Sequence, residues 1–240
     1  MFLQGLHQAD YRLLNHALTE VHLKRGAVLG GTLDQPDFAY FPIDAVVSLV
    51  GTTTDGLGVE IGMVGREGCL ALPSLFGRPV TAYQKMVQSA GMTCRLPGQV
   101  LRDATQASRT LREHLLRYGS VRVMQLAQSA ICHRFHRLEQ RLCRWLLSVH
   151  DRLERNEIQV THESLAHLLG GRRPTLNTTI KALRHVGVVE YRRGSVVIKD
   201  RKRLESCSCE CYRVIASEIR EFLGRTVISL TDRCPGPRLH

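Results

Sequence analysis

The feature that most constrains this chain is a change of texture near residue 100. From about residue 21 to 100, short β-favouring runs (Ala45 to Val50, Val59 to Val64, Lys85 to Val87) are cut by Gly30, Gly31, Gly56, Gly65, Gly68, Gly77 and Gly91. From about 99 to 154 glycine and proline nearly vanish, with Gly119 the interior exception. Short runs between turn residues make strands, whereas a long run without breakers makes helix, so the sequence predicts an all-β sandwich or roll followed by helices. Ahead of the strands, Leu3, Leu6, Tyr11, Leu13, Leu14 and Leu18 have the spacing of a short amphipathic helix.

In the glycine-poor stretch, Leu111, Leu115, Tyr118, Arg122, Leu126, Ser129 and His133 mark one face of a long helix. Heptad-like spacing on a helix that leaves a β domain predicts a partner helix, namely a second copy of the chain in a homodimer. The alternative is a helix packed only against its own roll.

At 240 residues the chain fits two domains better than one. A hydrophobic fraction of 43% with 23% charged residues describes a globular protein and excludes disorder. Thirty-three Lys and Arg against 22 Asp and Glu leave a formal charge of +11, which calls for a polyanionic partner, nucleic acid or an acidic membrane surface. No apolar run approaches the roughly 18 residues a membrane helix needs, and no signal peptide is evident, so a cytoplasmic protein without a membrane partner is expected. The eight irregularly spaced cysteines then read as reduced thiols.

Residues 160 to 184 separate the two polyanions. Thr161 can cap a short helix, on which Leu165, Ala166, Leu168 and Leu169 form the inner face. Two helices crossing steeply need a small side chain at the contact and a flexible residue in the turn, supplied by Ala166 and Gly170. Pro174 suits the first turn of the second helix, whose buried stripe is Leu176, Ile180 and Leu183. Its outward residues are then Arg172, Arg173, Thr175, Asn177, Thr178 and Lys181. Arg can bond guanine through two donors, Asn can do the same with adenine, and Thr can reach phosphate or base. After Gly187, Val188 to Ile198 reads as two strands about an Arg193-Gly194 turn, a wing that also carries Arg192. Between residues 172 and 203 there are ten Lys or Arg and two acids, a local +8 of the total +11, which is the electrostatic footprint of phosphate contact with double-stranded DNA.

These segments resemble the Crp/Fnr regulators. The resemblance rests on Leu138 to Leu147, the helix-turn-helix, and the wing ending Ile198-Lys199-Asp200 with Leu204 following. Tyr40 to Ile43, Val46 to Leu49, Val64 to Gly68 and the tail Cys207 to Tyr212 are similar to a subgroup of that family. The resemblance implies an α+β chain in three parts: a cyclic-nucleotide-binding-like β-roll with its N-terminal helix (1–105), a long dimerisation helix (106–137) and a winged helix-turn-helix with a C-terminal helix (138–240). It implies a transcriptional regulator on a roughly palindromic operator, with RNA polymerase and an unidentified effector as further partners. Arg173 matches a guanine-reading position of the family and Lys181 one that lies near phosphate. Pro174 and Thr178 depart from the family's Arg-Glu-x-x-x-Arg reading set.

Members that bind cyclic AMP use a Gly-Glu turn and then an Arg-Ser pair. Here Phe76 to Tyr83 offers Arg78-Pro79 and Thr81-Ala82, so cyclic AMP is not expected. The iron–sulfur branch carries cysteines near its N-terminus, whereas the first cysteine here is Cys69. Cys207, Cys209 and Cys211 lack the two-residue gaps of most zinc knuckles, and Cys132, His133 and His136 read as packing or surface. No metal site and no cofactor are therefore expected. The absence of Gly-x-Ser-x-Gly, P-loop, Rossmann and His-Glu-x-x-His patterns argues against an enzyme.

Overall fold

The computed structural model describes residues 2–29, 38–75 and 83–224. Gly30, Gly31, Gly77, Arg78, Pro79, Thr81 and Ala82 lie outside the described residues. A 3-10 turn at Leu3–Gly5 leads into α1 (Gln8–Asn15). Six strands follow: β1 (Thr19–Leu23), β2 (Phe38–Pro42), β3 (Val46–Thr52), β4 (Gly58–Val64), β5 (Tyr83–Ser89) and β6 (Gly91–Pro97), with the short α2 (Leu72–Leu75) between β4 and β5. They form two antiparallel sheets, ordered β1-β6-β2 and β4-β3-β5. The chain is thus α+β with an N-terminal β-roll.

Strand β3 explains how the roll meets the rest of the chain. Successive side chains of a strand point to opposite faces. Val47 and Leu49 join the roll interior with Leu23, Leu70 and Val87, while Val46 and Val50 pack with Trp145 and Leu146 of the C-terminal half. All are buried, which is why this run carries almost no polar residues.

The glycine-poor stretch is three helices: α3 (Gly98–Ala107), α4 (Arg109–Phe135) and α5 (Leu138–Leu153). Ser108 makes the first break because its hydroxyl accepts from Leu111 N at 3.2 Å and so caps α4. His136 and Arg137 are extended and make the second. Helix α5 ends at Glu154, which has a left-handed φ of 52°.

The face of α4 expected to meet a partner helix is turned inward. Leu111, Leu115 and Tyr118 are buried with Phe2 and with Phe222 of the last helix. Tyr118 Oη donates to the Cys69 carbonyl at 3.2 Å, and Arg122 Nη1 to the Met63 carbonyl at 2.9 Å. Three polar members of this face, Tyr118, Arg122 and His133, are bonded to roll carbonyls, whereas the buried Ser129 hydroxyl has no hydrogen-bond partner among the described residues. Leu116, Val123 and Ile131 stay exposed on the opposite side, Val123 at 67%.

The remainder comprises β7 (Glu157–Gln159), α6 (His162–Leu168), α7 (Arg173–His185), β8 (Val189–Arg192), β9 (Ser195–Ile198), α8 (Arg201–Cys207) and α9 (Cys211–Gly224). The third sheet is ordered β7-β9-β8. Strand β7 was not legible in the sequence, being three residues long with one buried side chain, Ile158. The core beneath this unit gathers Trp145, Leu146, Leu165, Leu176, Ile180, Leu183 and Val196. No helix among the described residues is long and apolar enough to cross a membrane.

Candidate nucleic-acid interface

Helix α6 begins at Thr161, whose hydroxyl accepts from Ser164 N at 3.1 Å. It buries Leu165, Ala166 and Leu168, and the chain then turns at Gly170, whose φ of +58° favours glycine. Helix α7 starts at Arg173 with Pro174 in its first turn and buries Leu176, Ile180 and Leu183. These burials fix the rotation of α7 and leave Arg172, Arg173, Thr175, Thr178 and Lys181 exposed. Asn177 departs from the expected outward set. It is half-buried, and its Oδ1 is enclosed without a hydrogen-bond donor.

The start of α7 is electrostatically open. No side chain caps its first turn and no acidic residue stands in it. Its free N–H groups, the positive end of the helix dipole and two arginines therefore converge on one exposed point, an arrangement suited to an anionic partner. The Thr178 hydroxyl donates to the Pro174 carbonyl at 3.2 Å, leaving its lone pairs outward.

Strands β8 and β9 form the expected wing, turning at Arg193 and at Gly194 with φ of +79°. The two wing arginines differ. Arg192 Nε lies 3.1 Å from Glu190 Oε1 and holds that carboxyl below its ordinary range, while Arg193 is exposed without an ion pair among the described residues. Lys199 also reaches Glu190, at 3.6 Å. Arg201 pairs with Asp151 at 2.7 Å and with Glu205 at 2.9 Å, and Arg203 Nη1 donates to the Val186 carbonyl at 2.8 Å. Four of the ten cations counted in the sequence, Arg192, Lys199, Arg201 and Arg203, are thus at least partly engaged by the fold.

The helix-turn-helix is tied to the roll by buried polar contacts that sequence reasoning missed. Glu60 of β4 accepts from Ser48 Oγ at 2.6 Å and from Trp145 Nε1 of α5 at 3.0 Å. Burial pushes its carboxyl above the usual range, and the two donors pull it back in part. Arg152 Nε donates to Glu67 at 2.8 Å, and both side chains are nearly enclosed. At Gly58 an added Cβ would collide with the His167 ring of α6. The signal for these links was a buried-type residue pattern interrupted by a carboxylate, at Glu60 between Val59 and Ile61.

The cysteine and histidine positions singled out in the sequence are regrouped. Cys132, His136, Cys209 and Cys211 come together, while His133 bonds the Glu60 carbonyl through Nε2 at 2.9 Å and Cys207 packs against the domain core.

Residues 140–207 match the family model of the Crp-like helix-turn-helix domain. This segment is a Crp-like helix-turn-helix domain. Three solved structures share the fold across most of the chain. A transcriptional regulator of the Crp/Fnr family from Eubacterium rectale is 19% identical, with 84% of this chain and 94% of that one covered at a TM-score of 0.66. FixK2 from Bradyrhizobium japonicum is 15% identical, with 80% and 98% covered at 0.67. The c-di-GMP responsive global regulator CLP from Xanthomonas campestris is 17% identical, with 81% and 100% covered at 0.62. No protein of curated function matches the sequence. The Crp-like domain joined to a β-roll gives the chain the architecture of Crp/Fnr transcription regulators.

Proposed function

We propose that the chain is a cytoplasmic, homodimeric regulator that reads a roughly palindromic DNA operator with the N-terminal half of α7. The observation that carries this reading is the open start of α7, where Arg172 and Arg173 stand exposed beside uncapped N–H groups. Arg173 reads a guanine edge, Thr175 and Thr178 contact base or phosphate, and Lys181 and Arg193 hold the backbone. Arg172 and Arg192 add positive potential near the duplex. Asn177, with its amide oxygen enclosed, contributes less to direct reading than its residue type promised.

Dimerisation uses the outward stripe of α4. Leu116, Val123 and Ile131 lie at intervals of seven and eight residues, and Gly119 between the first two has nothing within 4 Å of an added Cβ. Such a stripe lets a second copy of the helix approach closely. Two copies of α7 would then face successive major grooves about 34 Å apart. The functional parts follow the limits 1–105, 106–137 and 138–240. The roll receives an effector and the DNA-bound dimer contacts RNA polymerase. On this reading the effector is not cyclic AMP: in Arg66-Glu67-Gly68, the segment near the family's Gly-Glu turn, the Glu67 carboxylate is already bonded to Arg152.

Selection of bound sequences from random DNA by the full chain tests this reading, followed by sedimentation of wild type and Val123→Glu. Enrichment of a two-fold symmetric site, with a wild-type dimer that Val123→Glu weakens at least about tenfold, is expected. Selection that enriches no sequence, or a chain monomeric with and without DNA, would overturn it.

A further inference from the structure

We propose that Cys132, His136, Cys209 and Cys211 bind one Zn2+ ion and thereby bolt the end of the long helix α4 to the α8–α9 turn. The four ligand atoms all lie within 4.8 Å of one another, although they come from segments more than 70 residues apart. Cys132 Sγ and Cys209 Sγ are 3.6 Å apart, and Cys211 Sγ is 3.4 Å from His136 Nδ1. A tetrahedral zinc with bonds of about 2.3 Å to sulfur and 2.0 Å to nitrogen places its ligand atoms roughly 3.5–3.8 Å apart. The spacing therefore suits a single ion. A four-iron cluster, whose irons sit between the ligands, needs them further apart.

The surroundings are those of a metal site more than of a thiol cluster left to itself. The three cysteines are buried and form a small group separate from the three apolar cores. A core formed for packing would use larger side chains here. His136 presents Nδ1 to the cluster, while its other ring nitrogen, Nε2, is held by Glu210 Oε1 at 3.1 Å. A carboxylate on the far nitrogen fixes the ring and raises its basicity, which is the usual support behind a zinc-bound histidine. Gln128 Nε2 donates to Cys211 Sγ at 3.0 Å, a contact that stabilises a thiolate. Three thiolates and one neutral imidazole around Zn2+ carry a net charge of −1, the three thiol protons passing to solvent. Arg144 lies close enough to couple electrostatically to Cys132 and is buried with its Nε lacking an acceptor, so a compensating cation stands ready.

The position gives the site a task. Cys132 and His136 flank the point where α4 ends and the extended His136–Arg137 link opens into α5. Cys209 lies in the turn before α9, and Cys211 opens that helix, which runs back along α4 to Phe222 beside Phe2. An ion held by both elements fixes the direction in which α4 delivers the helix-turn-helix. On the reading of α7 given above, metal loading then sets the geometry of DNA binding.

The test uses the full chain, reduced and stripped of metal under anaerobic conditions, then titrated with Co2+. One cobalt per chain is expected, giving the intense visible bands of tetrahedral cobalt and a sulfur-to-metal charge-transfer band, both removed by added Zn2+. Cys209→Ser and Cys211→Ser should each lose most of the charge-transfer intensity, Cys69→Ser should keep it, and His136→Cys should strengthen it. Because the wild-type titration needs no variant, failure of a variant to fold leaves the test intact. Uptake only with the weak spectrum of octahedral cobalt, a reduced chain that takes up none, or isolation with an iron–sulfur chromophore on these residues would each overturn the proposal. None of these readouts involves DNA, so failure of the zinc site is distinguishable from failure of the DNA-binding reading.

Discussion

The proposed recognition surface and the seam where α4 and α5 meet the roll are both built with arginine, and they use it in opposite ways. On α7 and the wing, Arg172, Arg173, Lys181 and Arg193 stand in solvent with no ion pair among the described residues. At the seam, Arg122 and Arg152 are buried and matched to roll carbonyl and carboxylate groups. An exposed cation keeps its hydration until a polyanion displaces the counterions, so it costs the fold little and is available for binding. A buried one must have its partner in place, so its contribution appears as stability and as the angle between domains. Position in the fold, not residue type, therefore decides which arginines can touch a ligand.

The sharpest way to break this comparison is at the seam. Arg152→Met leaves the Glu67 carboxylate buried without its cation and should cost about 3–5 kcal/mol in chemical denaturation. The double change Arg152→Met with Glu67→Met should recover most of that loss. Equal losses in single and double variants would mean that the pair is not coupled.

At the recognition surface the same kind of change should leave stability alone. Arg173→Ala should cost roughly 1–3 kcal/mol on the best operator and little on random DNA, flattening preference at one guanine per half-site. A uniform loss on all sequences would show that the register of α7 is misread.

Within the wing, the contrast repeats on a smaller scale. Arg193→Ala should reduce the slope of log affinity against log salt by about one unit. Arg192→Ala should reduce it by less, since Glu190 already shares that charge. Equal changes in competition titrations would remove the distinction.

The smallest effect concerns a buried basic group, His114, whose Nε2 has no hydrogen-bond partner among the described residues. His114 lies against Phe2 and Phe222, and burial, helped by the nearby Arg117 charge, pulls its pKa down to about 4. The folded chain therefore binds fewer protons at this ring than the unfolded chain does. The stability this contributes is complete above about pH 6.5 and is lost as pH falls toward 4. His114→Phe should narrow the difference in Tm between pH 7 and pH 5, and an unchanged difference would refute the assignment.

The sequence made the helix-turn-helix legible because its constraints are local. Thr161 caps, Gly170 turns, and Leu176, Ile180 and Leu183 recur at helical period, so each residue's environment is set by its near neighbours. The orientation of α4 was not legible for the complementary reason. Its two faces both carry apolar residues at heptad-like spacing, and only the roll, which Arg122 and Tyr118 meet through Met63 and Cys69, selects the one that turns inward. The Cys132 and Cys209 groups were visible as two weak patterns. What joins them is the return of α9 along α4, a long-range packing that spacing within either pattern does not encode.

The central claim is that exposed cations at the start of α7 read a DNA sequence. It is tested most directly by titrating the full chain onto a selected operator and onto a scrambled duplex at two salt concentrations, in parallel with Arg173→Ala. The account predicts wild-type affinity for the operator at least about a thousandfold above the scrambled duplex, a steep salt dependence on both, and a ratio that shrinks in the variant while the salt slope changes by no more than about one unit. Equal wild-type affinity for operator and scrambled DNA, or binding to both that does not respond to salt, would contradict it.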